Sequence, residues 1–362
     1  MKSRITRMTA ALLAAVLSLG LLVGCKPKKE LTRYTTIFYD VFDTVTQVIA
    51  YCESEEEFNT QMQALHQDLI VYNQLYDIYN DYDGVVNVKT INENAGKAPV
   101  QVDDRILSML ELARQMYELT GGKINIAMGS VLGIWHDYRE AAEQNASETD
   151  NTLPTQEELE AAARHCDIND LVIDEDAKTV YLSDPEMSLD VGSVGKGYAV
   201  DMVCQAAQAR GLTSALVSVG GNLRAIGKKP DGSQWTGGVE NPWNASEVYT
   251  NTNSIFGSPI NMSDLALVTS GDYQRYFVVD GKRYHQLHQA GFCTAGAADD
   301  AQRLARPDAE GDIVQDRLAG AVLILKGNML ELDAAIPDLL HRCLGGGQVG
   351  GLIQHFHDTA GR

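Results

Sequence analysis

The order of strand-like and helix-like segments constrains the fold of this 362-residue chain more than any other feature. Short runs rich in Val, Thr and aromatic residues predict strands within 34–51 and at 171–173, 180–182, 214–219, 233–239, 265–269 and 276–279. Apolar residues at helical spacing predict helices over 54–75, 103–119, 155–164 and 195–209. Strands and helices alternate irregularly, which favours an α+β fold over a regular parallel α/β sheet.

Local signals mark where these helices begin and end. Ser54 followed by Glu57 has the pattern of a capping box at the start of the first helix. The pair Gly121-Gly122 would end the second helix. Residues 140–154 are polar and have no periodicity, so we expect a surface loop there.

The N-terminal residues 1–24 have the features of an export signal and are set apart from the fold. A positively charged start is followed by the apolar run 8–23, which leads into Leu-Val-Gly-Cys ending at Cys25. This ending resembles the bacterial lipobox, in which the new N-terminal cysteine is acylated. The alternatives are an ordinary cleaved signal and a short membrane anchor. We expect residues 1–24 to be a signal peptide, Cys25 to carry lipid and residues 25–36 to form a tether.

A lipid-anchored chain of this kind would lie outside the cytoplasm, held to the bacterial cell membrane by its acyl chains. The net charge of −20 argues against nucleic acid as a partner, because binding phosphates requires clustered Lys and Arg. With Cys25 assigned to lipid, the remaining cysteines are widely spaced and form no C-x-x-C pair. Neither a zinc ribbon nor a disulfide framework is indicated, and we interpret most of these cysteines as small buried apolar residues.

The segment 188–201 is the clearest candidate binding site, with the sequence Ser-Leu-Asp-Val-Gly-Ser-Val-Gly-Lys-Gly-Tyr-Ala-Val-Asp. A strand is expected to end at Asp190 and a helix to begin near Lys196, so backbone N–H groups and the positive helix end would face one point. Such a place suits an anion, especially phosphate. The alternative is a Gly-rich turn with a solvated lysine, since the spacing matches neither a P-loop nor the dinucleotide-binding glycine pattern.

Two further strand ends are rich in Gly and in hydroxyl residues. Residues 218–223 are Ser-Val-Gly-Gly-Asn-Leu, and residues 268–273 are Val-Thr-Ser-Gly-Asp-Tyr. Each could contact a ligand or could be an ordinary turn. Tyr79 could stack on an aromatic ligand ring, although most such tyrosines are core residues. His136 lacks the partners of a metal triad and is interpreted as structural or exposed.

Taken in order, these motifs resemble the FAD:protein FMN transferase family, also called ApbE. The ordered set is far more specific than any one motif. The matching pieces are Phe42-Asp43-Thr44, Tyr79 to Gly96, Thr120 to Asn125, Leu189 to Asp201, Val219 to Asn222, Thr269 to Tyr273 and Asp280 to His285. The resemblance implies a single ApbE-like domain, related to the T-fold, over residues 37–362.

The resemblance also implies a reaction. A member of this family takes FAD as substrate together with Mg²⁺, and a Thr or Ser hydroxyl of an acceptor redox protein attacks the phosphorus nearer the flavin. FMN becomes attached to the acceptor through a phosphoester bond, and AMP is released. Phosphoryl-type transfer of this kind depends mainly on positioning and on neutralising charge.

The family's roles fall on particular residues of this chain. The positions that would contact FAD are Phe42, Tyr79, Lys123, Ile124, Asn125, Asp190 and Lys196. Ser193 falls where a backbone oxygen would bind the metal, and oxygen ligands suit Mg²⁺. His285 and Asp272 are the candidate catalytic residues, and His285 would take the acceptor's proton.

The family pattern breaks after His285. Where a second His and an Asp-Pro would follow, residues 286–290 are Gln-Leu-His-Gln-Ala. The later element that supplies an Asp and a Thr to the metal is best matched around Asp316, which keeps the Asp and lacks the Thr. Either the chain has diverged from the family, or a frameshift in the source gene altered residues 286–362. The abrupt change in composition favours the frameshift.

Two functions of other classes compete with the transferase. An intact FAD pocket beside a damaged metal site would produce a lipid-anchored FAD-binding protein without transfer activity. A solute-binding lipoprotein would need two lobes built from parallel βα units, and the irregular order of elements argues against it.

Overall fold

The computed structural model describes residues 30–238, 260–269 and 276–285, and the backbone of 323–326. Within these residues the helices are α1 (Glu55–Tyr76), α2 (Val88–Glu93), α3 (Asp104–Leu119), α4 (Gly129–Gln144), α5 (Gln156–Ala163) and α6 (Gly195–Ala209). The strands are β1 (Thr32–Val41), β2 (Thr44–Cys52), β3 (Val100–Gln101), β4 (Leu171–Asp174), β5 (Thr179–Leu182), β6 (Ala215–Val219), β7 (Asn222–Ile226), β8 (Trp235–Gly237), β9 (Ile260–Met262), β10 (Leu265–Val268), β11 (Tyr276–Val279), β12 (Lys282–His285) and β13 (Leu323–Lys326). The predicted α+β class is confirmed.

A six-stranded antiparallel sheet in the order β1-β2-β6-β7-β10-β13 forms the centre of the fold. Helices α1 and α6 pack together on one face of it, where their apolar side chains meet those of β2 and β6. Side chains such as Leu65, Val203 and Val217 are fully buried there. Burial of a side chain of this size stabilises the fold by about 1.5–3 kcal/mol, so this layer fixes α6 against the sheet.

Smaller layers surround the central sheet. Helices α2 and α3, the three-stranded sheet β3-β5-β4 and the residues just before α6 share a second core. Helices α4 and α5 pack with the β11-β12 hairpin in a third. None of the helices among the described residues is long and apolar enough to cross a bilayer.

The start of α1 confirms the predicted cap in a slightly altered form. Ser54 Oγ accepts the N–H of Glu57 at 3.1 Å. The Glu57 carboxylate accepts the N–H of Glu53, at 2.7 Å, rather than that of Ser54 itself. Both interactions satisfy backbone donors that the first turn of a helix leaves unpaired.

Two predictions of secondary structure are wrong, and some elements were not predicted at all. Residues 140–144 belong to α4 and are not loop, although the following residues to 154 do lack long regular elements. Helix α4 as a whole and strand β7 were not predicted. Asp190 lies in no strand, and the pairing just before it is a single parallel bridge between Met128 and Ser188.

The turns that follow β1 and β6 lie at the same end of the central sheet as the residue after β10. The N–H of Gly220 donates to Val45 O at 3.2 Å, which ties the β6-β7 turn to the start of β2. The N–H of Thr269 reaches toward Gly221 O at 3.4 Å. Adjacent antiparallel strands must turn at their shared ends, so the topology gathers the loops at 42–43, 220–221 and 269.

Candidate functional site

The loop before α6 places Asp190 beside the start of that helix. The N–H of Asp190 donates to Ile126 O at 2.8 Å, and the Asp190 carboxylate accepts the N–H of Gly192 at 2.8 Å. Burial raises the pKa of this carboxyl, the Gly192 N–H opposes the shift, and the His136 ring opposes it when protonated. Asp190 is therefore a half-buried acid at a helix N-terminus, where backbone N–H groups favour an anionic ligand.

The N-terminus of α6 itself allows close approach of other chain segments. A Cβ on Gly195 would lie 3.2 Å from the ring of Tyr76, so a larger residue would require that ring or the start of α6 to shift by a few tenths of an ångström. Lys196, in the first turn, is half-buried, and Ser193 is exposed in the loop before it. This arrangement leaves the loop around Ser193 open to a ligand.

The chain at 124–129 runs beside the Asp190 loop. Gly129 N donates to Ser188 O at 2.9 Å. Asn125 is buried, its amide donating to Cys166 O at 2.9 Å and its side-chain oxygen accepting the N–H of Ala127 at 2.9 Å. Both ends of that side chain are thus used within the protein, so a ligand would meet Asn125 through its backbone.

The other two FAD-contact candidates in this turn differ in exposure. Lys123 is exposed, whereas Ile124 is half-buried and packs against the core shared by α2 and α3. The glycines before them have φ of 62° at Gly121 and 85° at Gly122, which side-chain-bearing residues rarely adopt. The turn therefore exposes a cationic side chain next to an apolar one.

Tyr79 lies in the loop after α1 and is 54% exposed. Its ring is stacked on His136 of α4, with centroids 4.6 Å apart and an angle of 22° between the planes. Burial raises the pKa of the Tyr79 hydroxyl to about 12, and the negative charge of Asp190 contributes to this. The structure thus brings Tyr79, Asp190 and His136 together.

The β1-β2 turn brings Phe42 to the same region. Phe42 and Asp43 have φ of 55° and 47°, as a two-residue hairpin of type I′ requires. Such a conformation is unusual for a bulky residue and costs about 1–3 kcal/mol, a kind of strain that is concentrated at functional sites. Phe42 packs against both large cores. Burial and the hydrogen bond to Asp77 raise the pKa of Tyr82, which follows Tyr79 in its loop, and the charge of Asp43 contributes to this.

The remaining predicted site residues are placed less completely. The backbone of His285 ends β12, where it pairs with Tyr276. Asp272, Asp316 and Cys25 lie outside the described residues. Within the described ranges, no group of three or more His, Cys, Asp or Glu side chains could hold a metal ion. The described residues therefore do not form a complete metal site around Ser193.

The interpretation of His136 as structural agrees with the contacts of its side chain, but sequence reasoning did not predict that the ring lies against Tyr79. The side chain contacts Tyr79, Arg139 and Glu140 and is only 20% exposed. Spacings of three and four residues from His136 to Arg139 and Glu140 would have placed the three on one helix face. That signal was unusable because helix α4 itself was not predicted.

Comparisons with known proteins show which family this chain belongs to. The ApbE family model matches residues 42–291, more than half of the chain. The FAD:protein FMN transferase of Klebsiella pneumoniae (strain 342) is 26% identical over 64% of this chain and 67% of its own length. The enzyme of that name from Treponema pallidum is 30% identical, over 54% of each chain. A third, from Vibrio cholerae, is 27% identical over 76% of each chain.

Solved structures show the same fold. The ApbE protein of Thermotoga maritima superposes with a TM-score of 0.59 at 24% identity, covering 81% of this chain and 96% of that one. The apo form of the flavinyl transferase ApbE of Pseudomonas stutzeri gives a TM-score of 0.55 at 21% identity, covering 76% of this chain and 88% of that one. Fold and family match together establish that this chain belongs to the ApbE family.

Proposed function

We propose that this chain is a flavin transferase that cleaves FAD and attaches its FMN half to a Thr or Ser of an acceptor protein. The observation that carries the proposal is the convergence of Tyr79, Asp190 and the start of α6 in a chain of the ApbE family. Three features of the site match three features of FAD. The exposed aromatic ring suits the faces of its rings, the half-buried acid suits their polar edges, and the helix N-terminus suits the pyrophosphate.

In this proposal, each residue of the site contacts a different part of FAD. The Tyr79 ring offers a stacking surface, and the Asp190 carboxylate can accept hydrogen bonds from N–H groups at the edge of a ligand ring. The backbone N–H groups at the start of α6, together with Lys196, face the pyrophosphate. Phe42 adds an apolar contact from the hairpin turn, and Lys123 to Asn125 close the opposite side.

The transfer step needs an acceptor hydroxyl in line with the phosphorus nearer the flavin. The hydroxyl oxygen forms a new P–O bond as the bond to the AMP oxygen breaks, so FMN moves to the acceptor and AMP leaves. The hydroxyl proton passes to a base, for which we propose His285, with Asp272 nearby in the chain. Positive charge at the start of α6 and on Lys196 offsets the negative charge on the leaving phosphate.

We propose that the reaction requires Mg²⁺. The ion would be held by the Ser193 backbone oxygen and by Asp316, both oxygen donors of the kind that Mg²⁺ prefers. When bound, it would polarise the pyrophosphate and neutralise charge. This proposal depends on Asp316, which lies outside the described residues.

We also propose where the enzyme acts and on what. The acceptor is a redox protein with an exposed Thr or Ser in a flavinylation motif. The enzyme would meet it outside the cytoplasm, attached to the cell membrane through lipid on Cys25. The lipobox-like sequence before Cys25 supports this location.

A second candidate function is an FAD-binding lipoprotein without transfer activity. The departure from the family pattern after His285 favours it, because that part of the chain would supply the metal-binding Asp. The two candidates share the FAD pocket and differ only in chemistry.

The deciding experiment uses the purified chain from residue 26 onward with FAD, Mg²⁺ and an acceptor domain carrying a Thr motif. The mass of the acceptor and the release of AMP are measured together. A gain in acceptor mass that corresponds to one FMN attached through its phosphate, abolished by EDTA, supports the transferase. Bound FAD without any gain in acceptor mass supports the second candidate, and resequencing the gene after codon 285 then tests the frameshift.

A further inference from the structure

His136 forms a connected set of contacts on one face of α4. Its Nδ1 lies 2.9 Å from Arg139 Nη2, and its Nε2 lies 3.0 Å from Glu140 Oε1. The Tyr79 hydroxyl lies 3.4 Å from the same Nδ1. Arg139 in turn faces Glu143 at 3.7 Å, so residues three and four apart on the helix fix the imidazole from two sides.

These contacts define the protonation of the ring. A guanidinium can only donate, so Nδ1 of His136 must accept from Arg139 and carries no proton. The ring proton therefore lies on Nε2 and points to the Glu140 carboxylate. The network thus assigns the neutral Nε2–H tautomer and fixes the plane of the ring.

The fixed imidazole supports one face of Tyr79. The two rings are stacked with an angle of 22° between their planes, and stacking is one of the arrangements that aromatic pairs prefer. Tyr79 nevertheless remains 54% exposed, so much of its surface is available to a ligand. A planar ligand ring on that surface would be the outer layer of a stack whose inner layer is His136.

The loop that carries Tyr79 does not need His136 to hold its backbone. The Asp77 carboxylate accepts the N–H groups of Tyr79 and Asn80 and the hydroxyl of Tyr82, at 2.7–3.0 Å. Asn87 then caps α2 with a reciprocal capping box. His136 therefore acts on the orientation of the Tyr79 side chain rather than on the path of the loop.

We propose that His136 is a positioning residue for FAD, which holds the Tyr79 ring flat for stacking against a ring of the bound nucleotide. The inference rests on the proposed function and adds a residue from α4 to the site. Its effect is on FAD affinity, because a fixed ring loses less side-chain freedom when the ligand binds. The chemical step does not involve His136, so kcat should be nearly unaffected.

The test compares His136→Ala with His136→Phe, which restores an aromatic face without the nitrogen atoms. FAD binding is measured in EDTA by quenching of flavin fluorescence, and KM and kcat by transfer to the acceptor. We expect His136→Ala to weaken FAD binding and raise KM about three- to tenfold, with kcat within about twofold. His136→Phe should recover most of this loss.

The matched control is His66→Ala. The ring of His66 also stacks on an aromatic ring, with its centroid 4.2 Å from that of Phe38. Its Nε2 also faces a carboxylate, 2.8 Å from Asp40 Oδ1. Neither partner belongs to the Tyr79 loop. Its loss should leave FAD affinity unchanged. Thermal unfolding of all three variants separates a loss of affinity from a loss of folded protein.

The possible failures are distinguishable. Unchanged FAD affinity in His136→Ala, or an affinity in His136→Phe as low as in His136→Ala, overturns the positioning role while leaving the transferase intact. FAD binding by the unaltered chain without FMN transfer overturns the proposed function, and the binding measurements still decide the role of His136. Absence of FAD binding by the unaltered chain overturns both.

Discussion

At the scale of single residues, burial of the Asp190 carboxyl lowers the stability of the folded chain, although the same carboxyl is proposed to bind FAD. Burial raises the pKa of its carboxyl above the ordinary value of 3.8. Between the ordinary pKa, which applies to the unfolded chain, and the raised pKa of the folded chain, the folded chain holds more protons than the unfolded chain. The carboxyl's contribution to stability therefore falls as pH rises through that range. The folded protein therefore bears a cost at neutral pH for keeping this acid ionised at the site.

The substitution Asp190→Asn should remove that cost. The asparagine side chain can still accept the Gly192 N–H but cannot ionise. We expect a higher free energy of unfolding at neutral pH than in the unaltered chain, a difference that disappears below pH 3.8, and FAD binding weakened about tenfold. Urea unfolding across this pH range and flavin fluorescence measure the two effects. A variant that is less stable at neutral pH, or that binds FAD equally well, would contradict the assignment.

Residue patterns predicted part of this site and not the rest. The small residues between Asp190 and Lys196 indicated a helix N-terminus open to a ligand, and the structure places α6 there. The stack between Tyr79 and His136 could not be predicted, because it joins the loop after α1 to helix α4, and the two residues are 57 positions apart in the chain. Similarly, the positive φ of Phe42 is set by the twist of the β1-β2 hairpin and has no signature in a Phe-Asp pair.

At the scale of elements, the start of α4 and the Asp190 loop are packed without spare space. A Cβ on Gly129 would lie 2.5 Å from Ser188 O, whereas one on Gly133, a turn later in the same helix, would meet nothing within 4 Å. We expect Gly129→Ala to lower the free energy of unfolding by about 1–3 kcal/mol and to weaken FAD binding, since it displaces the Asp190 loop. Gly133→Ala should be neutral or stabilising by up to about 1 kcal/mol.

Urea unfolding and FAD titration of the two alanine variants provide the measurement. Equal stability of Gly129→Ala and Gly133→Ala would show that the contact between the segments is looser than the structure indicates. Loss of stability with unchanged FAD affinity would separate this contact from the site.

The ion pair between Arg224 of β7 and Asp201 of α6 joins helix to sheet inside the protein. The two side chains are 2% and 10% exposed and lie 2.7 Å apart. Asp201→Asn leaves a buried guanidinium without its counter-charge, which should lower the free energy of unfolding by about 3–5 kcal/mol. The control is Asp68→Asn, which breaks a partly exposed pair with Arg210 and should cost no more than about 1 kcal/mol.

Chemical denaturation of both variants measures the difference. If Asp201→Asn costs no more than Asp68→Asn, water or another group must compensate Arg224, and the buried pair does not fix α6. The FAD affinity of the Asp201 variant, measured where it is still folded, reports whether the position of α6 matters to the site.

The predictability of an element followed the strength of its local signals. Helix α1 has a Ser54 cap and acidic residues in its first turn, and it was predicted almost to the residue. Helix α4 follows Met128, whose side chain makes no capping hydrogen bond, and begins with a glycine, so its start has no local mark. Strand β7 carries the buried Arg224, and a charged residue in a short run argues against a buried strand until its partner on α6 is known.

At the scale of the whole molecule, the site is assembled from segments that are distant in sequence. Strand β2 pairs with β6, so Thr46 lies opposite Val219, and the hairpin turn at Phe42 comes to the same sheet end as Gly220. Such long-range pairing depends on the complete set of strands and could be anticipated only through the family resemblance. That resemblance also explains why the function was easier to predict than the topology, and the family model matches residues 42–291.

The attachment of the whole molecule to a membrane is the remaining expectation, and it depends on one atom, the sulfur of Cys25. Acyl chains on this residue would anchor the protein stably, since several chains together greatly exceed the marginal affinity of one. We expect Cys25→Ser, expressed in a bacterium that processes lipoproteins, to move the protein from the membrane fraction to the soluble fraction. Lys28→Ser, which keeps the cysteine, is the control and should remain with the membrane. Mass spectrometry of the N-terminal peptide should show the acyl chains in the control alone, and membrane retention of Cys25→Ser would overturn the lipid anchor.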